Sequence, residues 1–484
     1  MIRWPRGVAP KLYHWLPVVA ALVGCGKPTI ASEQPYAGED PPEHRAELDV
    51  AADIATPRGD ADDADEANEG SEFLAEAAPP SPPEAASEGD APRLVGDEPL
   101  AAEDVVVLDP SAPRIERPEA LAGFFAALAR TRRDGVARVL HMGDSSIGMD
   151  GLPHAIRRRM QEHFGDAGPG FVLIDRFSKN YTSNVARIEA AGWKICYIAY
   201  LCKKDGRYGL GGHTFRGEGG AWTKLGPHQR SPYGREVSKI ELWYAAHPSG
   251  GDLRLRVDKG PYETISTRAD ALDDRWHTVE VDPGEHTVEL RPGGNGAVRV
   301  YGVVMENEGP GVVWDTVSMT GAYVRRVHGY DDEHIAGQVA HRDPDLLVIN
   351  YGGNDLRRFV NHSVARADYK EEYRTTVRKL RQGKRDVACL IVGVTDHGRS
   401  GPYDVEPAHV EAMQALEREI AAEEGCAFFD SVAAMGGAGS VHQWLKEHKV
   451  SPDLKHLSRK GTDAMGEMIY NALLAAYSEH ARGA

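Results

Sequence analysis

Residues 138–164 read RVLHMGDSSIGMDGLPHAIRRRMQEHF. Arg138–His141 is a short apolar run, the mark of a buried strand. From Gly143 the residues are those of a turn, and Leu152–Phe164 carries apolar side chains at helical spacing. Strand, turn, helix opens an α/β unit. Just upstream, Pro118–Arg133 (PEALAGFFAALARTRR) predicts another helix, with proline at the start where it is tolerated. The pattern resumes far downstream. Asp345–Tyr351 (DLLVINY), Val387–Val394 (VACLIVGV) and Ala427–Asp430 (AFFD) predict strands. Tyr369–Gln382, Glu406–Glu424 and Gly461–Tyr477 predict helices. A parallel sheet with helices on its faces is the expected assembly.

The middle of the chain reads differently. KIELWYAA, DLRLRVD, WHTVEVD, HTVELRP and AVRVYGVVME alternate apolar and polar residues between Ser238 and Glu306. Turn pairs such as Pro283-Gly284 and Gly293-Gly294 separate them. This spacing predicts an antiparallel β-sandwich over 226–306. It would divide the α/β domain into 104–225 and 307–484. Trp243, Tyr244 and Trp276 are read first as filling for the sandwich core, and second as platforms for sugar rings.

The N-terminus reads as an export signal over residues 1–25. Arg3, Arg6 and Lys11 precede the apolar run Leu16–Gly24, which is too short to span a bilayer. Leu22-Val23-Gly24-Cys25 resembles a bacterial lipobox, which makes Cys25 the expected lipidation site; a plain signal peptide or a signal anchor, with Cys25 incidental, is the alternative. Residues 26–103 are rich in Ala, Pro, Glu and Asp and cannot bury enough apolar surface to fold. They are expected to form a disordered tether with an r.m.s. span of roughly 50 Å. From Ala31 to Asp104 there are 22 Asp or Glu against three Arg. The formal charge of the whole chain is −17, so the acidity belongs to the tether and says nothing about a substrate. With no basic stripe interleaved with aromatics, nucleic acid is not an expected partner.

Five cysteines occur. Cys196 and Cys202 are close enough in sequence to pair, and an exported compartment would permit it. Cys389 and Cys426 lie in apolar runs and are read as small core residues. No spacing suggests a zinc site, and no metal or organic cofactor is expected.

Two turns fall where an α/β fold places its chemistry, at the C-terminal ends of strands, and a third precedes the last helix. Gly143-Asp144-Ser145 follows the first strand, and the helix after it would add a positive dipole beside a developing oxyanion. Gly352-Gly353-Asn354-Asp355 follows DLLVINY. Asp453-Leu454-Lys455-His456 puts an acid three residues before a histidine, ahead of the last helix. Each alone reads equally well as an ordinary turn or cap. Their order and placement together point to a serine activated by an imidazole and a carboxylate.

With these blocks the sequence resembles the SGNH (GDSL-type) hydrolases, whose motifs carry Ser, Gly, Asn and His in that order. The remaining block is placed at Val317-Ser318-Met319-Thr320-Gly321-Ala322, with Gly211 and Gly212 (GLGGHTF) as the competing assignment. The resemblance implies a three-layer, flavodoxin-like α/β domain. It also implies Ser145 as nucleophile, His456 as base and Asp453 as its partner. Ser145, Gly321 and Asn354 would form the oxyanion hole. The likeness spans roughly residues 105–480 and is nearest the branch of peptidoglycan O-acetylesterases, in which a carbohydrate-binding-like β module interrupts the catalytic domain. One departure stands out. The last block reads KHLSRKG, where that family more often has a Val-His-Phe-Thr pattern. The implied protein is a lipid-anchored esterase of the bacterial cell envelope acting on O-acylated polysaccharide, with the membrane as its second partner. An O-acetyltransferase with the same triad, a non-catalytic glycan-binding lipoprotein and a lipase are the competing readings.

Overall fold

The computed structural model describes residues 104, 108–178, 181–228 and 231–483. The expected export signal with Cys25 and the expected tether lie outside the described residues. Among the described residues, no helix is long and apolar enough to cross a membrane.

A six-stranded sheet organises the α/β part. Its strands are β1 (Ile115–Glu116), β2 (Val136–Gly143), β3 (Gly311–Ser318), β4 (Leu346–Asn350), β5 (Ala388–Val392) and β6 (Ala427–Phe429). Their order across the sheet is β1-β6-β5-β4-β2-β3. All neighbours run parallel except β1, which pairs antiparallel to β6 at the edge. The five parallel strands therefore follow the flavodoxin-like order, in which the chain switches direction across the sheet beside its first strand. That point lies between β2 and β4.

Six long helices cover the sheet: α1 (Ala122–Thr131), α2 (Gly151–Phe164), α3 (Asp332–Arg342), α4 (Arg366–Arg381), α5 (Pro407–Glu423) and α6 (Arg459–Ala481). Successive strand residues point to opposite faces. Val139, Leu346, Val348 and Leu390 pack with Phe125, Ile156 and Ile469 of α1, α2 and α6. Leu140, Leu347, Ile349 and Ile391 pack on the other side with Ile335, Val377 and Val410 of α3, α4 and α5. Burial on both faces explains why these strands read as continuous apolar runs.

The β module consists of two antiparallel sheets that share one core. The five-stranded sheet runs Glu263–Ser266, Asp252–Val257, Val288–Pro292, Trp222–Pro227, Ala186–Ala191. The other runs Asp273–Gly284, Val237–Ala246, Val298–Glu306, His213–Gly217, Lys194–Tyr197, with Gly170–Val172 also pairing to Val298–Glu306. The module therefore starts near Gly170, not at residue 226. The early strands are only three to six residues long. Gly-rich turns separate them, so their alternation is too short to register. Its two ends meet: Ala167 accepts a backbone hydrogen bond from Asn307 at 2.9 Å. Trp243 and Tyr244 are buried, and Trp276 is half-buried with its ring stacked 3.9 Å from His341 of α3. All three serve packing.

Two disulfides are present among the described residues. Cys196 pairs with Cys202. Cys389 pairs with Cys426, which corrects the expectation that these two are separate core thiols. They stand on β5 and on the turn before β6, neighbouring strands that sequence distance conceals.

Candidate active site

The Ser-bearing turn leaves β2 at Gly143, where a side chain would collide with the backbone oxygen of Asn350 on β4. Glycine lets the two central strands approach closely and brings their following loops together. Asp144 is fully buried and accepts hydrogen bonds from the Ser146 N–H at 2.8 Å and the Asn354 N–H at 3.3 Å. One carboxylate thus ties the Ser block to the Asn block. The third loop is sewn in by the Met319 N–H to Gly143 O at 2.7 Å and by Ser318 Oγ to Asp144 O at 3.1 Å.

Ser145 opens a short 3₁₀ turn, Ser145–Asp150, kinked at Gly148 and Met149. α2 begins only at Gly151. The turn rather than the first turn of a long helix therefore presents the hydroxyl, and the expected dipole of α2 is displaced from it. Ser145 Oγ lies 3.0 Å from His456 Nε2, and His456 Nδ1 lies 2.6 Å from Asp453 Oδ2. A carboxylate only accepts, so Nδ1 carries the proton and Nε2 is left with its lone pair toward the serine. Asp453 Oδ1 accepts from the N–H groups of both Lys455 and His456 at 3.0 Å. Burial alone would raise this carboxyl; the hydrogen bond and charge of His456 and the two backbone N–H groups outweigh it and hold Asp453 at about 2. The loop is anchored where Ser458 caps α6 by accepting from the Gly461 N–H at 3.2 Å.

Gly321 sits in the loop after β3 with φ +80, a left-handed conformation that favours glycine. Asn354 Nδ2 donates to Ala322 O at 3.1 Å, which links the Gly and Asn blocks. The competing Gly212 is buried behind Ile198 and Met319, and its N–H is used by Gly209 O at 3.2 Å.

Several residues of the site were not singled out from the sequence. Lys455 Nζ donates to Asn354 Oδ1 at 2.8 Å. Asp355 is buried, accepts from the Val324 N–H and pairs with Arg358 at 2.9 Å. Burial pushes its carboxyl up to about 7 against those two partners. Glu417 of α5 lies beneath Gly352 and accepts from the Val394 N–H at 2.8 Å and Tyr369 at 2.9 Å. Burial raises it to about 8. His397 is held down to about 3, by burial first and then by the charge of Lys455. Two of these left a trace in the sequence: Asp355 as the end of the Gly-Gly-Asn-Asp block, and Lys455 as the departure from the family's last block.

The family model of GDSL-like lipases/acylhydrolases matches residues 287–464. No curated protein matches the chain significantly. Among solved structures, one described as "Peptidoglycan O-acetylesterase in action, 5 min" superposes with a TM-score of 0.61 at 21% identity. The superposition covers 75% of this chain and 97% of that one, so the shared fold includes the inserted module. A family two carbohydrate esterase from Cellvibrio japonicus is more distant, with a TM-score of 0.26 at 14% identity over 60% of this chain and 98% of that one. The family model is thus matched across the Gly, Asn and His blocks, and the fold is shared with a solved esterase: the chain is similar to the GDSL-like lipases/acylhydrolases over this region.

Proposed function

We propose that this esterase removes acyl groups, acetyl above all, from polysaccharide of the bacterial cell envelope such as peptidoglycan, using Ser145, His456 and Asp453. The observation that carries this reading is the hydrogen-bonded line Oγ to Nε2 at 3.0 Å and Nδ1 to Oδ2 at 2.6 Å. Ser145 Oγ attacks the ester carbonyl while its proton passes to His456 Nε2. The C–O bond to the sugar breaks, and the same proton goes to the leaving sugar oxygen. Water then attacks the acyl-serine and gives one proton to Nε2, and the C–Oγ bond breaks as that proton passes to Oγ, releasing the carboxylic acid. The backbone N–H groups of Ser145 and Gly321 and the Asn354 amide hold the oxyanion. Each such donor contributes about 3–4 kcal/mol to the transition state.

The substrate class rests on the solved O-acetylesterase whose fold, module included, this chain shares, together with the expected compartment. Two disulfides suit an exported, oxidising location. The signal-like N-terminus and lipobox-like Cys25 support an anchor in the membrane, with the enzyme at its periplasmic face or at the cell surface. The test is acetate release from O-acetylated peptidoglycan and from acetylated xylan, for the unmutated chain and for Ser145→Ala. Acetate should be released from peptidoglycan in preference to xylan, and only by the unmutated chain. Turnover by Ser145→Ala would overturn the nucleophile. Release from xylan alone, or acetyl transfer to a glycan acceptor without free acetate, would overturn the substrate or the reaction.

A further inference from the structure

An oxyanion hole that uses a side-chain amide has a weakness a backbone donor lacks. The amide can turn over and present its oxygen, which repels the developing charge. Asn354 is held on both ends by groups with no choice of role. Its Nδ2 donates to Ala322 O at 3.1 Å, and a carbonyl oxygen only accepts. Its Oδ1 accepts from Lys455 Nζ at 2.8 Å, and an ammonium group only donates. Lys455 stands directly before His456, in the block where the sequence departs from the family's usual valine. We infer that Lys455 is a positioning residue of the oxyanion hole: its ammonium group locks the Asn354 amide with Nδ2 on the Gly321–Ala322 side of the site. The inference rests on the proposed roles of Ser145 and Asn354 and deepens them.

The surroundings suit a charged lysine. Asp144 from the Ser turn, Asp355 from the Asn turn and Asp453 from its own loop all favour the ammonium form, and Arg357 opposes it. His397 and His456 also feel its charge or lie beside it. Burial is the largest influence and draws Lys455 below the ordinary lysine range. A neutral amine could accept as well as donate, and the lock on the amide would loosen. Activity is therefore expected to fall on the alkaline side earlier than an exposed lysine would allow.

The experiment uses the full chain and p-nitrophenyl acetate, with Ser145→Ala as control. Lys455→Met should lower kcat by about 10- to 100-fold, part of what losing an oxyanion donor costs, with KM little changed. Lys455→Arg, which still only donates, should recover much of that loss. The alkaline fall in kcat should vanish in Lys455→Met. In an Asn354→Ala background, adding Lys455→Met should cost less than about twofold, because the residue it acts through is gone. Equal losses with and without Asn354, or unchanged kcat in Lys455→Met, would overturn the inference. If Lys455→Met does not fold, a kcat of the unmutated chain that stays flat up to the ordinary lysine range would do the same. An active Ser145→Ala would instead overturn the reading of the site beneath it.

Discussion

Asp453 receives three N–H groups, one from an imidazole and two from the backbone of its own loop. It therefore sets both the position of His456 and its tautomer. In Asp453→Asn the amide oxygen can keep the backbone contacts, which turns the amide nitrogen toward Nδ1. The imidazole must then carry its proton on Nε2, where it can no longer accept from Ser145. Steady-state kinetics should show kcat lower by about 10⁴-fold, as loss of the right tautomer does elsewhere, with the fold retained and the melting temperature lowered at neutral pH. The carboxyl is depressed in the folded chain to about 2, from 3.8. Its contribution to stability is therefore present above the unfolded value and is lost as pH falls through the folded one.

At the scale of elements, the site is the gap between two strand ends. β2 and β4 are neighbours, and their loops carry Ser145 and Asn354. α5 supports the second loop from below through Glu417, whose carboxylate faces Gly352, where a side chain would strike it. This carboxyl is raised from 4.5 to about 8, so the folded chain binds its proton more tightly than the unfolded chain. Stability should then fall as pH rises between those values. Glu417→Gln keeps an acceptor for Val394 N–H and offers Tyr369 a donor. Its melting temperature should gain on that of the unmutated chain as pH climbs through this window. Parallel pH-dependent melts check it, and curves of equal slope would refute it.

At the scale of the whole molecule, one buried ion network joins the inserted module to the α/β part. Arg342 of α3 binds Asp315 on β3 at 2.5 Å and Glu306, the last residue of the module, at 2.6 Å. Asp315 also accepts from the Phe171 N–H in the first strand of the module at 2.7 Å, and Arg138 on β2 binds Glu306 at 2.9 Å. The network thus ties both ends of the insertion to the parallel sheet, away from the ends of the strands that carry the site. Burial would raise Glu306, but the charges of Arg342 and Arg138 hold it at about 2. Arg342→Ala leaves two buried carboxylates without their shared cation and should cost about 3–5 kcal/mol in chemical denaturation. Turnover per folded molecule should change little.

Five of the six long helices and the strands β2, β4, β5 and β6 were legible because apolar residues repeat at the period of the element and are buried on both faces of the sheet; α3 and β3 were not singled out. The blocks around Ser145, Asn354 and His456 were legible because each follows or precedes such an element. Periodicity is a local signal, and what it omitted is non-local. The early module strands after Gly170 are too short to show a period and are defined only by their partners. The bond between Cys389 and Cys426 depends on β5 and β6 being neighbours. Lys455 could be seen to depart from a pattern, but not to reach Asn354, about a hundred residues away in the chain. The amino-acid order alone determined most of the long helices and central strands and which turns hold reactive side chains. Distances between those turns, and the protonation of the groups buried under them, follow from sheet order and burial, which exist only once the chain has closed on itself.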